Sequence, residues 1–187
     1  MSLPFPVTVP FAILLAALCV RLGLEIGLVH PSLGRGPRTG RGSLLVFGIS
    51  WAVAASASLG ALRLTESVKS AFVAALVAML VCHQLRLATA RRRLGEAYDT
   101  GLEPRGTLAT TGAYSLVRHP VYLFYALELL FLALCAPTAT GLAAALANLV
   151  ATVARIPAEE RFLALRFAAL WDGFCQKTRW RLLPGIW

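Results

Sequence analysis

Charge is scarce in this chain. Asp, Glu, Lys and Arg make up 14% of its 187 residues, against roughly a quarter in soluble globular domains. Acidic residues are the scarcest, nine against eighteen basic ones, which leaves a formal net charge of +9. Hydrophobic residues reach 58%, and mean hydropathy is +0.70. A soluble fold of this composition would have to expose much of its apolar surface, whereas a bilayer removes the difficulty. The basic excess does not read as nucleic-acid binding, because the Lys and Arg residues cluster between apolar runs, where they set membrane orientation. The four cysteines (Cys19, Cys82, Cys135 and Cys175) are widely spaced and form no C-x-x-C pair. They read as small apolar helix residues, and no metal site is expected. No G-x-G-x-x-G follows a strand pattern, which argues against a soluble dinucleotide-type fold. The first apolar run lacks a basic n-region and is too long for a signal h-region, so it is expected to remain as a span.

Crossing the hydrocarbon layer takes about 20 mostly apolar residues in a helix. Five stretches qualify: Val7 to Val29, Ser43 to Leu62, Val68 to Leu87, Val117 to Ala136, and Thr138 to Ile156. Little more than Pro137 separates the last two, which predicts a tight helical hairpin. After Pro157, the run from Ala158 to Gln176 reads as an amphipathic helix at the membrane surface, with Leu163, Phe167, Leu170, Trp171 and Phe174 on one face. The expected fold is therefore all-α and polytopic, with five transmembrane helices and a C-terminal amphipathic interfacial helix. Residues 1–90 are expected to form an N-terminal three-helix membrane region and residues 91–187 a C-terminal membrane region that holds the candidate chemistry.

Orientation follows from the basic residues. Arg35, Arg38 and Arg41 follow span 1; the segment after span 3, with its helix ends, carries Arg86, Arg91, Arg92, Arg93, Arg105 and Arg118; the C-terminal part carries Arg155, Arg161, Arg166, Lys177, Arg179 and Arg181. Only Arg63 and Lys69 fall on the other side, and Arg21 lies within span 1. This asymmetry predicts an outside N-terminus and a cytoplasmic C-terminus. The triplet Arg91 to Arg93 reads as an anchor to anionic lipid headgroups. In span 2, Gly48, Ala52, Ser56 and Gly60 recur at i+4, a spacing that lets helix backbones approach in lipid. Packing within the monomer is the expectation, with an oligomer interface as the alternative.

Two blocks carry candidate chemistry. At the cytoplasmic mouth of span 4 stands Gly112-Ala113-Tyr114-Ser115-Leu116-Val117-Arg118-His119-Pro120-Val121-Tyr122. Pro120 suits the first turn of a helix, where its missing N–H costs nothing. His119 and Tyr122 then share a helix face at i, i+3. Just past span 5 comes Arg155-Ile156-Pro157-Ala158-Glu159-Glu160. Neighbouring helix residues point about 100° apart, so Glu159 and Glu160 cannot act as a facing acid/base pair. One can bind a ligand while the other meets Arg or water. Anchoring at the interface and first-turn helix-dipole stabilisation are the structural alternatives for these two blocks.

Taken together, the order G-x-Y-x-x-x-R-H-P-x-Y, a helical hairpin, R-I-x-x-E-E-x-x-L and a closing aromatic helix resembles the isoprenylcysteine carboxyl methyltransferase family. Leu94-Gly95-Glu96-Ala97-Tyr98 and Thr110-Thr111-Gly112-Ala113-Tyr114 are similar to its bacterial members, and the resemblance covers about residues 86 to 184. It implies S-adenosylmethionine-dependent methyl transfer at the membrane–cytosol boundary. By motif position, Tyr114, His119, Pro120, Tyr122, Glu159 and Glu160 would line the cofactor site. Arg118 and Arg155 would orient an anionic group of the substrate, with Lys177 as a third candidate, and Pro184 matches the closing proline. Phe124 stands where the family often has Gly, and Trp171 and Phe174 replace its paired tyrosines, departures that bear on the substrate more than on the cofactor.

The physical chemistry of the cofactor agrees with these residue types. A sulfonium, a carboxylate and an amine in one ligand call for both anionic and cationic partners. A carboxylate acceptor needs only a cation to align it, whereas an amine must first lose a proton; with His119 and the glutamates assigned to the cofactor, the carboxylate is favoured. The partners expected are membrane lipids and a hydrophobic or lipid-linked substrate. Rival readings are a phospholipid or other amine methyltransferase, an NADPH-dependent membrane reductase and a non-catalytic scaffold. Three further polar groups stand out. Glu128 lies deep in span 4, where an ionised carboxylate is costly; Arg21 can pair with it or with Glu25; and His83 and Gln84 can reach the pocket or bond between helices.

Overall fold

Five apolar stretches separated by basic or turn-rich segments can bury their shared polar groups only by packing as helices. The structure, a computed structural model, describes residues 8–29, 41–62, 69–94 and 108–187, without the side chains of 23–29, 41–46 and 91–94. Among the described residues every regular element is helical: α1 (Val9–Val29), α2 (Arg41–Leu62), α3 (Ser70–Leu94), a 3-10 turn (Gly112–Ser115), α4 (Pro120–Cys135), α5 (Ala139–Phe167) and α6 (Ala169–Lys177). The all-α expectation holds. The segments 30–40, 63–68 and 95–107, with Arg35, Arg38, Arg63, Arg105 and most of the Leu94-to-Tyr98 motif, lie outside the described residues, as do the side chains of Glu25 and Arg91 to Arg93.

Two helical stretches, Ser70–Ala90 and Ala139–Phe167, are long and apolar enough to cross a bilayer. Val9–Leu22, Phe47–Leu62 and Pro120–Cys135 are shorter apolar stretches. The distribution of polarity is the reverse of a soluble protein's. Val73, Val77, Val81 and Leu85 form an exposed ridge along α3, while Leu142, Leu146, Leu149 and Val150 are exposed on α5. Inside, Glu128, Asn148 and Thr152 have no exposed surface at all. Apolar outside and polar inside is the arrangement lipid imposes. This is a membrane protein with transmembrane helices.

One apolar core draws on five helices, with Leu14 from α1, Trp51 and Ala54 from α2, Phe72 and Met79 from α3, Leu129 and Leu132 from α4, and Ala144 and Ala145 from α5. The sequence regions on either side of residue 90 thus share one core. The α4–α5 hairpin is as tight as Pro137 implied. Thr138 caps α5, its side-chain oxygen accepting from the Gly141 amide at 3.0 Å, which satisfies one of the helix's orphan donors.

Three expectations need correction. First, Pro157 does not end span 5: α5 runs through it to Phe167. Proline removes one backbone bond, and in membrane helices such a loss is tolerated where neighbours compensate. The break comes at Ala168, whose φ of 43° is a conformation that favours glycine. Glu159 and Glu160 therefore sit in the last third of α5, not in a first turn, and the helix-dipole account of them fails. Second, the amphipathic helix Ala158 to Gln176 is divided between α5 and α6. Leu163, Trp171 and Phe174 are buried together with Tyr114, but Leu170 is exposed. Third, the stripe Gly48, Ala52, Ser56 and Gly60 is exposed, with nothing within 4 Å of a Cβ built at Gly48 or Gly60. The packed face of α2 carries Phe47, Trp51, Ala54 and Leu62 instead.

Candidate functional site

The site begins where the chain enters α4. Gly112 opens the 3-10 turn with φ of 65°, a left-handed conformation that glycine adopts without steric cost. The turn sends Tyr114 into a cluster with Leu163, Trp171 and Phe174. Its carbonyl accepts from the Thr178 hydroxyl at 3.2 Å. Pro120 occupies the first turn of α4, as its lack of an N–H predicts, with His119 at the N-cap.

The segment after α6 then closes over this entrance. The Arg118 and His119 amides donate to the carbonyls of Trp180 and Arg181 at 2.8 and 2.9 Å. Each side-chain nitrogen of Arg118 has a partner. Its Nε donates to the Thr178 carbonyl at 2.8 Å, its Nη1 to Glu160 Oε1 at 3.0 Å and its Nη2 to the Arg179 carbonyl at 3.1 Å. Arg181 reaches the other oxygen of the same carboxylate, Nε to Oε2 at 2.9 Å, with its guanidinium over the Trp187 ring at 5.2 Å. His119 Nε2 stands 3.5 Å from Glu160 Oε1. Burial would push the Glu160 carboxyl up, but His119, Arg118 and Arg181 outweigh it and hold it down at about 2. Glu160 thus meets two arginines.

The rings of His119 and Tyr122 stack with centroids 5.8 Å apart, as their i, i+3 spacing predicts. The Tyr122 hydroxyl accepts from Arg155 Nε at 2.8 Å. A chain of contacts therefore runs Arg155, Tyr122, His119, Glu160, Arg118 and joins α5 to α4 at two points. Glu159, one residue before Glu160, is buried. His119 Nε2 is buried with no hydrogen bond of good geometry. Lys177 ends α6 and makes no ion pair with any of these residues among the described contacts.

A second polar cluster lies halfway along α4. Glu128 Oε1 accepts from Arg21 Nε at 2.6 Å, and Oε2 accepts from Arg86 Nε at 2.9 Å. His83 Nδ1 is 3.1 Å from both Glu128 Oε1 and Arg86 Nη2, so it can donate to the first or accept from the second but not both. Arg21 stacks 3.6 Å above Trp51 and Arg86 lies 5.3 Å above Tyr125. Arg21 pairs with Glu128, one of the two partners expected from sequence. His83 bonds between helices rather than reaching the boundary pocket, and Gln84 faces outward. Arg86, counted above among the flanking cations, is buried. Its i+3 spacing from His83 and the need of Glu128 for partners were the available signals. Arg181 had no such signal, because it lies in an irregular segment.

Residues 73–165, about half of the chain, match the model of the Isoprenylcysteine carboxyl methyltransferase (ICMT) family. The match begins in α3 and ends in α5, so it spans His119, Tyr122, Arg155 and both glutamates. The chain has no match among curated proteins. With the motif pair brought together across one helical hairpin, the chain belongs to the isoprenylcysteine carboxyl methyltransferase family.

Proposed function

We propose that this protein is an S-adenosylmethionine-dependent methyltransferase that esterifies a carboxylate of a hydrophobic or lipid-linked substrate at the cytoplasmic membrane face. The observation that carries the reading is the contact chain from Arg155 through Tyr122 and His119 to Glu160. It links the Arg-His-Pro block at the start of α4 to the Glu-Glu block of α5 and offers acidic, basic and aromatic groups side by side. The donor set fits the cofactor: Glu159 suits its cationic amine, and His119 and Tyr122 supply a ring face and hydrogen bonds. Once bound, the cofactor supplies a methyl group on a sulfonium. The protein's part is alignment and exclusion of water. Arg155, held by Tyr122, is the cation that orients the acceptor carboxylate. Arg118 and Glu160 are positioning residues, since their polar atoms bind each other and the segment after α6. Tyr114 and Pro120 shape the wall by packing and by fixing the helix start.

Calorimetry of the detergent-purified protein against S-adenosylhomocysteine and, separately, NADPH tests this reading. S-adenosylhomocysteine should bind, and NADPH should not. Loss of one hydrogen bond to a charged group is worth about 1.5–3 kcal/mol, or roughly ten- to a hundredfold in affinity. His119→Ala, Tyr122→Ala and Glu159→Ala should each weaken binding by that order. Arg155→Ala should instead lower methyl transfer more than cofactor affinity. Wild-type affinity in all three of the first variants would sink the site.

The reading includes a topology of five spans with the N-terminus outside. Helix α5, about 43 Å long at 1.5 Å per residue, exceeds a hydrocarbon layer of about 30 Å. Its Arg- and Glu-bearing last turns thus project beyond the span into the cytoplasm. The exposed stripe of α2 is a candidate oligomer contact within the membrane. A cysteine introduced at Lys177, with the native cysteines removed, should be protected from impermeant thiol reagents in intact cells. Its labelling from outside would invert the topology.

A further inference from the structure

The polar face of α5 does not stop at the boundary site. Asn148, Thr152, Arg155 and Glu159 follow one another at four, three and four residues, the spacing of a single helix face. Thr152 therefore lies one turn, about 4.5 Å, inside Arg155, and Asn148 about 10.5 Å inside it, at 1.5 Å per residue. Both are completely buried. Thr152 Oγ1 and Asn148 Oδ1 have no hydrogen-bond partner, while the Asn148 amide nitrogen faces the Tyr125 hydroxyl, which it can donate to. The Tyr125 hydroxyl donates in turn to the Phe47 carbonyl at 3.4 Å.

Leaving such groups unmet inside a membrane bundle costs free energy. An apolar residue at either position would avoid that cost, so the unmet Thr152 hydroxyl and Asn148 oxygen point to a ligand. We infer that Asn148 and Thr152 form a second polar subsite, which holds a hydrogen-bonding group of the substrate about 5–10 Å from the carboxylate held by Arg155. This deepens the reading above and rests on it for the position of that carboxylate. The carboxamide both donates and accepts, and so does the hydroxyl, so the complement is a group of the same kind, such as an amide. A simple fatty chain offers nothing there. The substrate is thus an amphiphile with two polar groups in series, acid first and amide-like group second, before its hydrocarbon tail. It enters along α5, past the Arg155–Tyr122 bond that joins α5 to α4.

The test uses the full chain in detergent and two probe series. One is N-dodecanoyl ω-amino acids, with the amide separated from the carboxylate by about three to five methylenes, a reach of roughly 5–8 Å at ordinary bond lengths. The other is fatty acids of equal length. Apparent affinities come from ligand-induced thermal stabilisation, which needs neither cofactor nor turnover. The wild type should prefer the amides by about tenfold or more. Thr152→Val and Asn148→Leu should each reduce that preference, and the double variant should bring it near unity without a loss of Tm. A wild type indifferent to the amide, or a preference that survives both substitutions, overturns the subsite. If Asn148→Leu does not fold, the isosteric Thr152→Val and the wild-type series still decide. Binding of S-adenosylhomocysteine to the wild type is measured separately, so failure of the methyltransferase reading shows itself independently.

Discussion

Glu128 and Glu160 are surrounded in the same way, each by two arginines and a histidine, yet they sit in different media. Glu128 gathers Arg21, His83 and Arg86 from α1 and α3 at 2.6 to 3.1 Å, and its side chain is completely buried. Glu160 gathers Arg118, His119 and Arg181 at 2.9 to 3.5 Å, with Arg181 38% exposed. The first cluster ties together helices that lipid would otherwise surround, where an ion without partners is costly. The second ties the mouth of α4 to α5 and to the segment after α6, where water can replace a lost partner. One pattern of residues thus serves cohesion in the membrane and alignment at its edge.

Removing the buried carboxylate should give the largest effect. Glu128→Leu leaves two guanidinium groups facing an apolar side chain. Breaking a buried pair in this way costs about 3–5 kcal/mol. A drop in resistance to denaturant of that order is expected, whereas Glu128→Gln, which keeps an acceptor, should lose less. Affinity of Glu128→Gln for S-adenosylhomocysteine should stay near that of the wild type, because none of the residues contacting Glu128 belongs to the boundary site. A stable Glu128→Leu, or weakened cofactor binding in Glu128→Gln, would erase the distinction between the clusters.

Much of this was legible from the residues alone. The helical class, the hairpin at Pro137, the start of α4 at Pro120 and the His119–Tyr122 face follow from spacing and from proline's missing donor. The pairing of Arg21 with Glu128 was one of two open choices, since Glu25 lies a turn away. Pro157 and the α2 stripe were misleading because packing between helices decides both. Spacing along one helix does not say which face its neighbours will cover, nor whether they will compensate a lost backbone bond. Pro157 would end a soluble helix, and the stripe from Gly48 to Gly60 invites a neighbour, but in this bundle α2 turns Trp51 and Ala54 inward. Asn148 and Thr152 passed unnoticed because each is an ordinary polar residue in an apolar run. Only their shared face with Arg155 and Glu159 distinguishes them, and that needs the helix to continue through Pro157. The contacts of Arg118 with Thr178 and Arg179 were out of reach because they join segments distant in sequence.

The smaller effect belongs to Glu160, and pH separates it from the first. Its carboxyl is held down at about 2, from an ordinary value of 4.5. A carboxylate with a lowered folded-state pKa stabilises the fold above its unfolded value, and that contribution disappears as pH falls through the folded one. The Glu160 cluster should therefore contribute a constant amount from neutral pH down to about 5, and lose it progressively between about 4.5 and 2. Glu160→Gln removes the titrating charge, so the Tm difference between wild type and variant isolates this contribution. At neutral pH the loss should be about 1 kcal/mol, between the limits for exposed and buried pairs, because water reaches Arg181. The difference should shrink as pH is lowered through that window, measured in a detergent that does not itself titrate there. A difference unchanged down to about pH 3, or one that grows on acidification, would mean that Glu160 is not held ionised by its three neighbours. The parallel with Glu128 would then be one of geometry alone.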